Sequence, residues 1–226
     1  MKYKSVVVTQ CGGLEALQIV ENDLRPPVEG EARIRTLATA VCQDDIAIRA
    51  GNRPFLKKPP FVPGYSFIGI IDAIGAGVRD VKVGDRVAAL TQYGSHAEVV
   101  YWDASELVPV PASLDPAEAV TLILNYLVAY QILHRVVQVK KGDKALIIGA
   151  SGGVGTAFLQ LGRLAGLKMY GLASPSKHHI LTEYGVVPID YHTQDFVEVI
   201  RQAEPGGIDY VFNGMGEETF ERSLAV

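Results

Sequence analysis

The stretch Lys144-Ala-Leu-Ile-Ile-Gly-Ala-Ser-Gly-Gly-Val-Gly155 constrains the fold more than any other part of the chain. A short apolar run bounded by glycines predicts a buried parallel strand, and the glycine cluster predicts a tight turn that opens a helix from Val154. Backbone N–H groups left without partners at a helix N-terminus, together with the positive end of the helix dipole, favour a pyrophosphate. The ligand implied is a dinucleotide, although a glycine-rich strand-to-helix turn also serves packing alone.

The neighbouring sequence bears on that choice. After Gly142 the pattern alternates strand and helix: Ala145–Ile148, Val154–Ala165, Lys168–Ala173, Ser176–Tyr184, Val186–Ile189, Thr193–Ala203, Ile208–Phe212 and Glu217 onwards. This is the signature of a parallel sheet with crossover helices. Before it, strands at Ser5–Thr9, Leu17–Glu21, Ala32–Val41, Phe67–Ile74, Asp85–Leu90 and Ser95–Tyr101 predict an all-β unit. A short helix is expected over Asp44–Ala50, followed by a loop from Asn52 to Pro63 that contains four prolines. Asp115-Pro116-Ala117-Glu118 combines an N-cap aspartate, proline at the first helical position and a capping-box glutamate, so a long helix begins there and runs past Leu133. Apolar residues nearly all round predict that this helix is buried between two units.

Two domains are therefore expected within the 226 residues, a β-rich one over 1–115 and an α/β one over 116–226. Formal charge is −4, which gives no basic stripe for nucleic acid. Cys11 and Cys42 are the only cysteines, too few for a disulfide framework, and a reducing, cytoplasmic setting is expected. The start of the chain is too short in apolar residues for a signal peptide. The longest apolar stretch, Ala119 to Leu133, is read as too short for a membrane span.

The order of an all-β unit, a connecting helix and Ala150-Ser-Gly-Gly-Val-Gly155 resembles the medium-chain dehydrogenase/reductase superfamily, in its zinc-independent quinone oxidoreductase branch. Val62-Pro-Gly64, Phe67-Ile-Gly-Ile-Ile-Asp-Ala-Ile-Gly75, Val83-Gly-Asp-Arg-Val87 and Ala129-Tyr130 carry the same resemblance. Leu124-Asn-Tyr-Leu-Val-Ala-Tyr130, Ala173-Ser-Pro-Ser-Lys-His178 and Ile189-Asp-Tyr-His-Thr193 are similar to its vesicle amine transport protein subgroup.

The resemblance implies a GroES-like catalytic domain and an incomplete Rossmann domain, with NADPH in the cleft between them. Family members continue for another hundred or so residues, so the chain is expected to be C-terminally truncated. A homodimer is implied for the full-length form. Zinc-dependent relatives use a Cys-x-x-Asp, a Gly-His-Glu and a third ligand in the connecting helix. Here Cys42-Gln43-Asp44-Asp45 matches the first, Gly64-Tyr65-Ser66 lacks the second, and Leu124 stands near the third. One thiolate cannot hold a catalytic zinc. His178 and His179 are adjacent, and His96, His134 and His192 have no ligand spacing, so all five histidines are read as surface or core residues.

The second strand ends Gly171-Leu-Ala-Ser174, with no acid to take a ribose 2′-hydroxyl as in NAD-preferring folds. Ser174 and Lys177 offer a hydroxyl and an ammonium there, and the resemblance adds Tyr191; together they favour NADPH. The competing reading makes Ser174 a helix cap and Lys177 a solvated lysine. Ala150, Ser151, Gly152, Gly153, Val154 and Gly155 form the phosphate turn. Asn213 and Gly214 end a strand on the carboxyl edge, as ligand contacts or as plain turn residues. By family position Tyr130 lies near the cofactor.

The same correspondence assigns the substrate wall to Cys42, Gln43, Asp45, Gln92, Tyr93, Asn125 and Tyr126, and the oxyanion donor to Tyr65. For Tyr65 the competing reading is a packed loop tyrosine, and for Asp45 an ion pair with Arg49. Without zinc, simple alcohol oxidation is disfavoured. Quinones and α,β-unsaturated carbonyls, which delocalise the incoming charge, are the expected small-molecule substrates. The alternative is a non-enzymatic NADPH-binding, structural or lipid-handling protein of the same fold.

Overall fold

A computed structural model describes residues 1–52 and 57–226. The part of the proline loop at 53–56 lies outside the described residues. The chain divides into two compact units, Met1–Leu124 and Asn125–Val226, and is mixed α/β.

The first unit holds strands β1 (Lys2–Val8), β2 (Leu17–Asp23), β3 (Glu31–Thr39), β4 (Ser66–Ile74), β5 (Arg86–Leu90), β6 (Val99–Asp103) and β7 (Val108–Pro109). β1 and β2 form an antiparallel pair, and the other five make an antiparallel sheet of order β6-β3-β4-β5-β7. Alternation along β3 sends Ala32 and Ile34 into a core with Phe67, Ile71, Val87 and Val100. Helix α1 (Gln43–Arg49) starts on a capping box in which the Asp45 carboxylate accepts the Cys42 N–H. The two-residue strand β7 was not expected, because so short a pairing leaves no periodic signal.

Helix α2 spans Pro116–Val136 and is 21 residues long, enough by length and composition to cross a membrane. The helix extends beyond the apolar stretch Ala119–Leu133 at both ends. Asp115 accepts from the Ala117 and Glu118 N–H groups and starts the helix ahead of the apolar run, while further turns carry it past Leu133. Burial all round is corrected: Leu122, Leu127, Tyr130 and Val136 are exposed. Only stripes of the helix enter cores. Ala119 and Val120 pack with Ile68 and Ala88 in the first unit, and Ala129 and Leu133 pack with Ile147 and Leu159 in the second. Two segments of α2, Leu122–Tyr126 and Gln131–Val136, are π-helical.

The second unit is a parallel sheet of β8 (Lys144–Ile148), β9 (Lys168–Leu172), β10 (Val187–Ile189) and β11 (Tyr210–Asn213), in the order β10-β9-β8-β11. Helices α3 (Gly153–Ala165), α4 (His178–Glu183), α5 (Phe196–Ala203) and α6 (Glu217–Ser223) join or follow the strands. Ala145 and Ile147 enter one core, Leu146 and Ile148 the other. A strand covered on both faces has no polar positions to spare, which is why its sequence is apolar without alternation. In chain order the strands run third, second, first, fourth, so the direction of winding reverses between β8 and β11. Open α/β sheets bind ligands at the carboxyl ends of strands flanking such a reversal.

Candidate functional site

In the second unit the glycine stretch makes the junction between β8 and α3. Gly149 adopts φ +84°, and its carbonyl accepts the Gly152 N–H at 3.0 Å. Gly152 caps α3 without any side-chain hydrogen bond, leaving the first-turn N–H groups facing outward. A Cβ on Gly155 would lie 2.2 Å from the Gly149 oxygen, so the helix can approach the turn this closely only because residue 155 is glycine. Ala150 is fully buried, Val154 packs on the core, and Ser151, Gly152 and Gly153 are exposed. This open helix N-terminus at the winding reversal fits a diphosphate.

Asn125 and Tyr126 are placed by the first π segment of α2. The Asn125 amide lies over Gly153: a Cβ there would be 2.7 Å from its Nδ2 and 3.2 Å from its Oδ1. The Tyr126 hydroxyl donates to Gln160 Oε1 at 2.6 Å, and Gln160 Nε2 donates to the Tyr184 hydroxyl at 2.8 Å. Tyr126 is therefore held by α3 through a neutral polar chain. Nothing in the sequence marked Gln160 for this role. Tyr130, one turn on, is half exposed, with its ring 4.7 Å from that of His134 and tilted 52° to it.

At the carboxyl end of β9, Ser174 makes no capping bond; its hydroxyl lies 3.3 Å from that of Ser176, and Lys177 is exposed. Ser174 stands at the N-cap position of the 3₁₀ turn Pro175–Lys177, as the competing reading has it, but its hydroxyl makes no capping bond. Tyr191 is exposed with its ring 4.2 Å from that of His192. Asp190, the acid nearest in sequence to Tyr191, accepts from the His192 N–H and the Thr193 hydroxyl. Those bonds hold its carboxyl below the usual range. At the end of β11, Asn213 Oδ1 accepts from the Met215 N–H and the Thr219 hydroxyl, and the Gly214 N–H bonds to the Ile148 carbonyl. The Asn213 side chain is committed to its own turn.

In the first unit, buried Asp45 accepts the Cys42 N–H with one oxygen and the Gly64 N–H with the other, each at 2.9 Å. Its ion pair with Arg49 does not form: Arg49 Nε donates to the Gly12 carbonyl. The Asp45 carboxylate is turned instead toward the Cys42 and Gly64 N–H groups, and the Arg49 guanidinium toward the Gly12 carbonyl. Gly64, at φ +109°, lies against Ser95 and His96, and the Thr91 hydroxyl donates to its carbonyl at 2.8 Å. His96 Nε2 sits 3.2 Å from the Ala40 carbonyl and 4.0 Å from Asp45. The sequence offered Gly64 as a motif residue but no sign of its tie to Asp45.

Tyr65 and Tyr93 pack beside Phe61 and Ile48. The Tyr65 phenol makes no hydrogen bond among the described residues, and burial, with the nearby Asp44, Cys42, Tyr93 and Asp45, pushes it up to about 12. Burial likewise raises the Cys42 thiol to about 11, against the lowering effect of the Asp45 backbone N–H. The Tyr93 hydroxyl accepts the Lys57 N–H at 3.2 Å. Gln43 and Gln92 are exposed, and Gln92 takes the left-handed conformation at φ +60°. The structure thus gathers Cys42, Asp45, Tyr65 and Tyr93. Among the described residues no three His, Cys, Asp or Glu side chains converge as a metal site.

Residues 28–112 match the family described as alcohol dehydrogenase GroES-like domain. The synaptic vesicle membrane protein VAT-1 homolog of Rattus norvegicus is 35% identical over 218 residues, which cover 94% of this chain and 54% of that protein. A 2-haloacrylate reductase from a Burkholderia sp is 32% identical over 228 residues, covering 97% of this chain and 68% of that protein. Among solved structures, Escherichia coli quinone oxidoreductase complexed with NADPH is similar with a TM-score of 0.93 at 28% identity, covering 98% of this chain and 69% of that one. The chain spans about half the length of the VAT-1 relative. With the strand order, the glycine turn and these likenesses together, the chain belongs to the medium-chain dehydrogenase/reductase superfamily, in its zinc-independent quinone oxidoreductase branch.

Proposed function

We propose that the chain contributes the cofactor-binding and acceptor-binding residues of an oxidoreductase that uses NADPH to reduce a quinone or an α,β-unsaturated carbonyl. The observation that carries this reading is the uncapped first turn of α3 at the reversal between β8 and β11, which suits a diphosphate. Ser174 and Lys177, with Tyr191, supply the hydroxyl and cationic groups for a 2′-phosphate. NADPH is favoured over NADH because β9 ends without an acid, while Asp190 is occupied by its own turn. The NADPH complex of the Escherichia coli relative supports the same choice.

When bound, the reduced nicotinamide supplies hydride. The chain's own contribution is to bind the acceptor and to supply a proton or hydrogen bond where negative charge develops. Tyr65 is suited to donating a hydrogen bond there, since burial keeps its phenol protonated and it has no competing partner among the described residues. Asp45 fixes the backbone of Cys42 and Gly64, hence the loop that carries Tyr65, and Gln43, Gln92 and Tyr93 complete the acceptor residues. The free thiols of Cys11 and Cys42 support a reducing, cytoplasmic setting.

NADPH oxidation with 9,10-phenanthrenequinone or a simple enone tests the reading. Turnover is expected, and Tyr65→Phe should lower kcat by about 10²-fold or more while NADPH affinity holds. Tight NADPH binding without oxidation by either acceptor would refute hydride transfer. That result would favour a second reading, a non-enzymatic structural or lipid-handling protein, which the name of the VAT-1 relative and the exposed Leu122, Leu127 and Val136 support.

A further inference from the structure

Asn125 sits in a five-residue π segment, a geometry that is rare and concentrated at functional sites. Its side chain is partly buried and makes no hydrogen bond among the described residues, although an amide has two N–H donors and a carbonyl to satisfy. That unpartnered amide lies against Gly153, the first residue of α3, with Nδ2 the atom nearest to where a Cβ would stand. Gly153 has no positive φ, so backbone conformation does not demand glycine there. What a Cβ would displace is the Asn125 amide.

Resting on the NADPH reading above, we propose that Asn125 is a cofactor-binding residue. Its amide N–H adds a side-chain donor to the backbone donors of α3 and bonds to the diphosphate, and Gly153 is small so that the amide can reach that position. The family correspondence had assigned Asn125 to the substrate wall; the geometry assigns it to the phosphate turn. The chemistry is that of a neutral donor facing an anion. A hydrogen bond to a charged group is worth about 10- to 100-fold in affinity.

The test is binding of NADPH and of 2′-AMP, which lacks the diphosphate, to the unsubstituted chain and to Asn125→Ala, Asn125→Asp, Gly153→Ala and the Gly153→Ala/Asn125→Ala pair. Asn125→Ala should weaken NADPH by about tenfold or more and leave 2′-AMP unchanged. Asn125→Asp keeps the shape but adds a like charge, so it should lose more NADPH affinity than the alanine variant. Gly153→Ala should also weaken NADPH, and the double variant should bind no worse than Asn125→Ala alone, because both substitutions remove the same contact. NADPH affinity unchanged in Asn125→Ala, equal losses for NADPH and 2′-AMP, or additive losses in the double variant would each overturn the assignment while leaving the NADPH reading intact. Absence of NADPH binding by the unsubstituted chain would overturn both.

Discussion

Replacing Gly155 by alanine sets two physical effects against each other. Helix propensity alone favours the substitution, since alanine stabilises a helix by about 1 kcal/mol relative to glycine. Packing opposes it. The added Cβ would lie 2.2 Å from the Gly149 carbonyl oxygen and 2.7 Å from the Ala150 carbonyl carbon and oxygen, all backbone atoms that no rotamer change can clear. To restore even a 3.0 Å contact, α3 must withdraw from the turn by roughly 0.8 Å, the difference between 2.2 and 3.0 Å. Overpacking of a tight interior costs about 1–3 kcal/mol, and a clash with backbone belongs at the upper end. Set against the propensity gain, this leaves a net loss of roughly 2 kcal/mol, and at about 2–4 °C per kcal/mol for a chain of this length Gly155→Ala should melt roughly 4–8 °C lower. Scanning calorimetry measures this directly, with Gly206→Ala as a control, because nothing lies within 4 Å of a Cβ at Gly206. If Gly155→Ala melts at or above the unsubstituted temperature, propensity has outweighed packing and the close approach of α3 to Gly149 is wrong.

Three other outcomes are expected. Lys177→Ala should weaken NADPH binding far more than NADH binding; equal losses by titration would remove Lys177 from the 2′-phosphate site. Asp45→Ala strands the Cys42 and Gly64 N–H donors and should cost about 1–3 kcal/mol per donor in denaturant unfolding, and a neutral effect would show that Asp45 does not hold this loop. Glu204 is bonded by Lys144, Lys168 and Tyr170, which hold its carboxyl at about 2, below the ordinary 4.5. Because the folded form favours the ionised group, its stabilisation is complete above about pH 4.5 and is lost as pH falls toward 2. The stability gap between the unsubstituted chain and Glu204→Gln should therefore close over that window; a gap independent of pH would contradict it.

The parallel sheet was legible because a strand buried on both faces must be apolar and its turns must be glycine-rich; Ala145–Ile148 and Gly149–Gly155 carry both signals. The helix at Pro116 was legible from Asp115, Pro116 and Glu118 together. What the sequence hid were contacts between residues distant in the chain. Asp45 and Gly64 are 19 positions apart, Tyr126 and Gln160 are 34, and no periodicity links them. The burial of α2 was misjudged for a related reason: apolar composition reports what a helix tolerates, whereas exposure depends on which stripe each core reaches.

The two π segments of α2 bear on how relatives are aligned with this chain. A π turn holds one residue more than an α turn, and one residue corresponds to about 100° of rotation about a helix axis. A residue-for-residue transfer of roles along Pro116–Val136 from a helix that is α-helical throughout therefore drifts out of phase at Leu122–Tyr126 and again at Gln131–Val136. Deleting one residue within either segment is the change by which such a helix would return to regular α geometry without turning its flanking residues away from their cores.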